Sequence, residues 1–256
     1  MIDTIKEREN LYMTLHELDF NGKAGKKLKA MGYKKRVDGR WERSVSAGWD
    51  GPWIHQHRIY SRSRDCELWH NVFFSLTGLT PTYCKDCWKV VINVPTVEQL
   101  FNLYELQKGL NHTCKCGLEL RSTDERLYGG YFYNDSKEEG LACLEKVRNA
   151  LAEKELPMEA FLKCACSEYE ITNGPPEDYV PTDNQLKLEK MYIKYVVPCD
   201  TYFEQNKDDV AYTMIKWIHY AASHGDLTYK KFTGGESILP QMKKYEKENG
   251  NGEDSE

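Results

Sequence analysis

Apolar positions along the middle of the chain follow two alternating periods. Trp88 to Val94 is a short β-branched run and predicts a strand. Pro95 follows, and Thr96 with Gln99 three residues later has the form of a helix-capping pair. Val97, Leu100, Phe101 and Tyr104 then recur at helical spacing, and Gly109 predicts the stop. Thr113 to Arg121 alternates as a second strand, with Leu118 and Leu120 on one face. The same grammar repeats. Leu127 to Tyr133 predicts a strand, and Ser136 with Glu139 a cap. Leu144, Val147 and Leu151 form a helical stripe, and Phe161 to Ile171 predicts a fourth strand. The order β-α-β-β-α-β is that of a ferredoxin-like α+β core.

The flanks are read by the same rules. Asp3 to Met31 predicts a helix interrupted near Asn21-Gly22, and a Gly-, Trp- and Arg-rich stretch of hairpins and loops follows, with Trp53 to Tyr60 as a short strand. After a turn-rich connector, Thr182 and Gln185 cap a helix towards Tyr195. Another helix begins near Asp208, with Val210, Met214, Trp217, Ile218 and Ala221 as its apolar face. The expected units are a basic, aromatic N-terminal region (1–82), the ferredoxin-like core (83–172), a C-terminal helical segment (173–242) and a disordered tail (243–256).

The nine cysteines bear on this picture. There is no apolar run long enough for a membrane helix and no uninterrupted secretory core at the N-terminus, so an intracellular, cytoplasmic chain is expected. In a reducing compartment, cysteine pairs point to metal or thiol chemistry. Cys84-x2-Cys87 precedes the first strand, and Cys114-x-Cys116 opens the second. Those strands run parallel in the expected fold, so both pairs start at one end of the sheet. This predicts a structural zinc held by four thiolates, with an iron–sulfur cluster or free thiols as alternatives. Cys164 and Cys166 are expected to begin the fourth strand, at the opposite end, as buried core residues. A redox pair, a nucleophile or a second metal are the other readings of that pair.

Charge adds a further distinction. The net charge is −5, but residues 21–64 hold twelve Lys or Arg against three acids, leaving the remainder strongly acidic. Within that segment Lys34, Lys35, Arg36, Arg40, Arg43, Arg58, Arg62 and Arg64 interleave with Trp41, Trp49, Trp53 and Tyr60. Arginine with aromatic rings suits phosphates and bases, and suits protein interfaces equally. Tyr131 and Tyr133, in a strand with paired glycines, could stack bases or pack as core. His55, His57, Cys66 and His70 form a second concentration of reactive groups, able to ligate a catalytic metal or to form a thiol–imidazole pair.

The leading expectation is a zinc-binding protein that engages nucleic acid, or a nucleotide or other phosphate ligand, through its basic N-terminal region, as a nucleic-acid-processing factor. The alternatives are a metal- or thiol-dependent transferase or hydrolase centred on His55, His57, Cys66 and His70, and a non-catalytic interaction scaffold with a protein partner.

Overall fold

A computed structural model describes residue 20 and residues 22–43, 51–56, 66, 68–122, 124–196 and 205–240. Helix α1 (Lys23–Ala30) leads into a small hairpin of β1 (Tyr33–Lys35) and β2 (Trp41–Arg43). Gly22 is the N-cap of α1. The rest of the expected Asp3–Met31 helix, Cys199 and the 243–256 tail lie outside the described residues.

The centre is a mixed helix-and-sheet unit. Strands β3 (Trp53–Gln56), β4 (Trp88–Val94), β5 (Cys114–Leu118), β6 (Tyr128–Asn134) and β7 (Glu159–Cys164) form one sheet in the order β3-β5-β6-β4-β7. Every neighbouring pair is antiparallel. Helix α2 (Val97–Gly109) joins β4 to β5, and α3 (Lys137–Glu153) joins β6 to β7. Both begin as the sequence predicts: the Thr96 side chain accepts from the Gln99 N–H, and the Ser136 side chain from the Glu139 N–H. These caps satisfy backbone donors that a helix start leaves open.

Strand alternation divides the sheet into two faces. Val90, Ile92, Val94, Cys114, Cys116, Tyr128 and Phe132 pack with Leu100, Leu103 and Val147 on the helical side. Helix α6 (Lys207–Ser223) closes this layer. Its Trp217 is fully buried there and donates its indole N–H to the Pro52 carbonyl at 2.8 Å. Each such apolar side chain contributes roughly 1.5–3 kcal/mol on burial. A second core gathers Leu28, Tyr33, Trp41, Trp69, Phe73, Cys84, Cys164, Tyr169, Leu188 and Tyr192. Helix α5 (Asp183–Tyr195), capped by Thr182 as expected, supplies Leu188 and Tyr192.

The fourth strand departs from expectation. It runs from Glu159 to Cys164, and residues 167–173 form helix α4 (Ser167–Asn173) instead of continuing the strand. Ala165 has φ +50°, in the left-handed region, so the ladder ends there. Cys164 and Cys166 therefore close the strand and do not open it.

Two glycines give a test of the packing. A Cβ on Gly117 would lie 2.3 Å from the Pro52 carbonyl oxygen and 2.9 Å from the Trp53 Cα, both backbone atoms of the paired strand end. A Cβ on Gly109, at the end of α2, meets nothing within 4 Å. Gly117→Ala is expected to cost about 1–3 kcal/mol through overpacking, and Gly109→Ala to be neutral or to stabilise by about 0.4–1 kcal/mol. Urea unfolding of both variants checks this; equal effects would contradict the close approach of the chain at Gly117.

Candidate active site

The β4–β7 register pairs Trp88 with Cys164, so the end of β7 meets the start of β4. The Ala165 N–H donates to the Cys87 carbonyl at 2.7 Å, locking the turn. A left-handed conformation in a residue with a Cβ costs of order 1–3 kcal/mol and persists only where its surroundings impose it. The turn places Cys166 immediately before α4, facing Lys89 of β4. Lys89 is the one charge in a strand of otherwise apolar or neutral residues, and it points away from the helical core. Its ammonium donates to the Cys166 sulfur at 3.3 Å.

Two more groups reach the same sulfur from the other core. Residues Leu68–Phe74 form a π-helical segment, a geometry frequent at functional sites. Its His70 packs against Tyr169 and Phe74, with a ring nitrogen within 4.8 Å of the Cys166 sulfur. The Cys66 thiol, four residues before His70, also stands beside Cys166. Glu168, in the first turn of α4, stands beside His70. The donor atoms of His70, Cys166 and Glu168 all lie within 4.8 Å of one another, and this group could hold a metal ion.

The electrostatics follow from these contacts. The hydrogen bond from Cys66 is the largest influence on Cys166. With Lys89 and His70 it outweighs burial and holds the Cys166 thiol well below the ordinary 9.0. The same bond, reinforced by burial, keeps the proton on Cys66. Burial opposes the charge on His70, but Cys166 and Glu168 more than compensate, and its pKa is raised. Burial likewise opposes charge on Lys89, yet the Cys166 sulfur more than compensates, and its pKa is raised. The result is one sulfur, beside an ammonium, an imidazole and a thiol, whose thiolate form is favoured.

A cavity of about 380 Å³ opens on this face of the sheet. Lys89, Ala165 and Ser167 bring it to the edge of the Cys166 turn, and Val91, Phe161 and Tyr131 form its apolar wall. Arg121 also lines it, and this guanidinium binds the buried Glu119 through two bonds of 2.6 and 2.8 Å and Glu168 at 3.3 Å. It thus ties Glu168 to the sheet.

The residues singled out by sequence fare differently. Cys66 and His70 meet at this site. His55 does not: it lies on edge strand β3, three strands from β4, or about 14 Å across the sheet. Its N–H donates to the Gln205 side chain. His57 lies outside the described residues. The four cysteines of the expected zinc site are not gathered. Cys114 and Cys116 share one face of β5 and are buried in the helical core, whereas Cys84 is buried in the other core, with its sulfur 3.5 Å from the Tyr169 hydroxyl. Both pairs do reach the same end of the sheet, but β6 stands between their strands, and the alternation of β5 turns its thiols to the far side. Cys84 and Cys87 instead neighbour Cys166, contrary to the expectation that the last pair would sit at the opposite end.

Among the basic residues, Lys34, Lys35, Arg36 and Arg40 are exposed on and around the β1–β2 hairpin. Arg36 pairs with Asp38 and Glu42, and Arg40 with Asp38. Arg43 ends β2; its side chain and Arg58, Arg62 and Arg64 are outside what is described. Among the described residues, no helix is long and apolar enough to cross a membrane. Sequence reasoning missed Lys89, Glu168 and Lys115 altogether. The signal for Lys89 was a lysine inside an apolar strand.

Half-buried Lys115, on the same face of the sheet, tests the cost of enclosing a charge there. Its ammonium lies 4.1 Å from the Trp53 ring centroid and 5.4 Å from that of Tyr131. Burial lowers its pKa from 10.5 to about 8. Below pH 8 both folded and unfolded chains hold the proton, and the folded state bears the full cost. From pH 8 to 10.5 the unfolded chain binds the extra proton, so stability rises with pH in that window. Lys115→Met is expected to raise Tm at pH 7, with a gain that shrinks between pH 8 and 10.5. A gain independent of pH would show that charge burial is not its cause.

Comparison of the chain with family models, curated proteins and solved structures finds no match.

Proposed function

We propose that the protein is a thiol-dependent enzyme, a transferase or hydrolase, with Cys166 as nucleophile. The observation that carries this reading is the convergence on one sulfur of Lys89, His70 and Cys66, at a strained strand-to-helix turn beside a cavity. A cysteine is reactive when positive neighbours favour its thiolate. A nucleophile with a base in hydrogen-bond reach, and a third group beside that base, has the logic of a catalytic triad. In this arrangement Lys89 and Cys66 stabilise the thiolate, His70 exchanges protons with the leaving group or with water, and Glu168 favours the imidazolium. The strain at Ala165 aims the sulfur, as strained backbone does at other functional sites.

A second reading uses the same residues. His70, Cys166 and Glu168 offer nitrogen, sulfur and oxygen donors close enough for one ion. Three such ligands with an open position suit a catalytic zinc, and a thiolate with an imidazole suits that metal. The Lys89 ammonium, 3.3 Å from the shared sulfur, weighs against it, because a dication would sit beside a like charge.

The nucleic-acid reading is supported by the exposed basic hairpin. That support is less specific, because surface ion pairs and local charge excess are ordinary. For the fold, the β4-α2-β5-β6-α3-β7 unit is read as ferredoxin-like; the strand order β5-β6-β4-β7 supports it.

The test is peptide mapping of the full chain after brief exposure to iodoacetamide at neutral pH, with and without a prior chelation step. The thiol reading expects Cys166 to be alkylated first among the nine cysteines, and the purified protein to carry no stoichiometric metal. It expects His70→Ala to slow that alkylation about tenfold or more. Alkylation of Cys166 only after chelation, with about one zinc per chain beforehand, would transfer the site to the metal reading. An unreactive Cys166 in metal-free protein would overturn both.

A further inference from the structure

We infer that the cavity beside Cys166 is an oxyanion site, which holds a carboxylate or phosphate group of a small-molecule substrate between Lys89 and Lys163. The inference rests on Cys166 being the reacting sulfur, and it names the class of substrate.

Lys89 and Lys163 are direct register partners on β4 and β7, and both line the cavity. Like charges placed opposite one another on one sheet face are destabilising unless something lies between them. Lys89 is only 8% exposed, and so cannot relieve the repulsion by swinging into water. Its ammonium donates to the Cys166 sulfur. Lys163 pairs with Glu170, but that carboxylate is 47% exposed, so solvent screens the pair and it holds the ammonium weakly. An anion in the cavity would compete with Glu170 on favourable terms, since charges interact more strongly in a low-dielectric recess than at the surface.

The other charges are segregated along the cavity. Arg126 is held by Asp124 through bonds of 2.5 and 2.8 Å and also donates to Asn93. Arg121 is held by Glu119. These arginines are committed to fixed carboxylates, and the acids Asp124 and Glu125 lie with Arg126 towards the Asn93 end of β4. Of the charges that line the cavity, Lys89 and Lys163 are therefore the ones next to Cys166, and the carboxylate nearest that sulfur, Glu168, is held by Arg121. Between the ends, Val91 and Phe161 pair across β4 and β7, with Tyr131 beside Val91, and offer an apolar wall. A substrate with an anionic head near the sulfur and an apolar or planar body along the strands matches this distribution.

The test compares alkylation of Cys166 by iodoacetate, an anion, with alkylation by neutral iodoacetamide, each normalised to free glutathione at the same pH. The iodoacetate-to-iodoacetamide rate ratio is expected to exceed that of glutathione by about tenfold, through local enrichment of anions by the lysine pair. It should fall to the glutathione value in Lys163→Gln, and inorganic phosphate should slow the iodoacetate reaction in the unsubstituted protein. A ratio equal to that of glutathione, with Cys166 still reactive, overturns the oxyanion site and leaves the nucleophile in place. Should Cys166 resist both reagents, the thiol reading fails and the anion site is decided by phosphate alone. A phosphate-dependent rise in Tm that is lost in Lys163→Gln supports it; no rise overturns it.

Discussion

The antiparallel register between β4 and β7 is the constraint on which the site depends. It sets Cys164 against Trp88 and, through the Ala165–Cys87 backbone bond, stacks the end of one strand on the beginning of the other. Shifting that pairing by a single residue would exchange the two faces of the strand. Lys89 would then enter the apolar layer that Val90 and Ile92 now fill, and Cys166 would lose its cation. The large burial on the helical side therefore specifies the position of the reactive groups on the other side.

Charge burial links stability to chemistry at the same place. An ammonium as enclosed as Lys89 is costly to keep charged unless an anion compensates. In the described structure the compensating group is a thiol, which can supply the charge only by giving up its proton. Lys89 and Cys166 thus favour one another's ionised forms, and because the ammonium contacts the Cys166 sulfur, Cys166 rather than Cys66 is the thiol favoured as the anion. An apolar residue at position 89 would pack more simply, so the lysine there is better explained by what it does to Cys166 than by what it adds to the fold.

Much of the architecture was legible in sequence. The strand Trp88–Val94, the caps at Thr96, Ser136 and Thr182, and the apolar face of α6 all follow from local periodicity and hydrogen-bonding chemistry, which act over a few residues. The site was legible only in part. Cys66 and His70 stand out in the sequence as a reactive cluster, but their partner lies about a hundred residues away. The reason for the miss is specific: Phe161 to Ile171 looks like one strand, and nothing in its composition announces a left-handed alanine at 165. Reading the strand through that point put Cys166 at the wrong end of the sheet. The four-cysteine zinc failed for a related reason. Spacing brings two cysteine pairs to one end of a sheet, but strand order and strand face decide whether they meet, and neither is written in the spacing.

The measurement that tests the central claim most directly is the pH dependence of the alkylation rate at Cys166, followed by peptide mapping, in the unsubstituted protein and in Lys89→Met. The account predicts a midpoint well below 9 in the former, and a shift upward towards the ordinary thiol value when the ammonium is removed. A midpoint at or above 9 in the unsubstituted protein, or one unmoved by Lys89→Met, would contradict it.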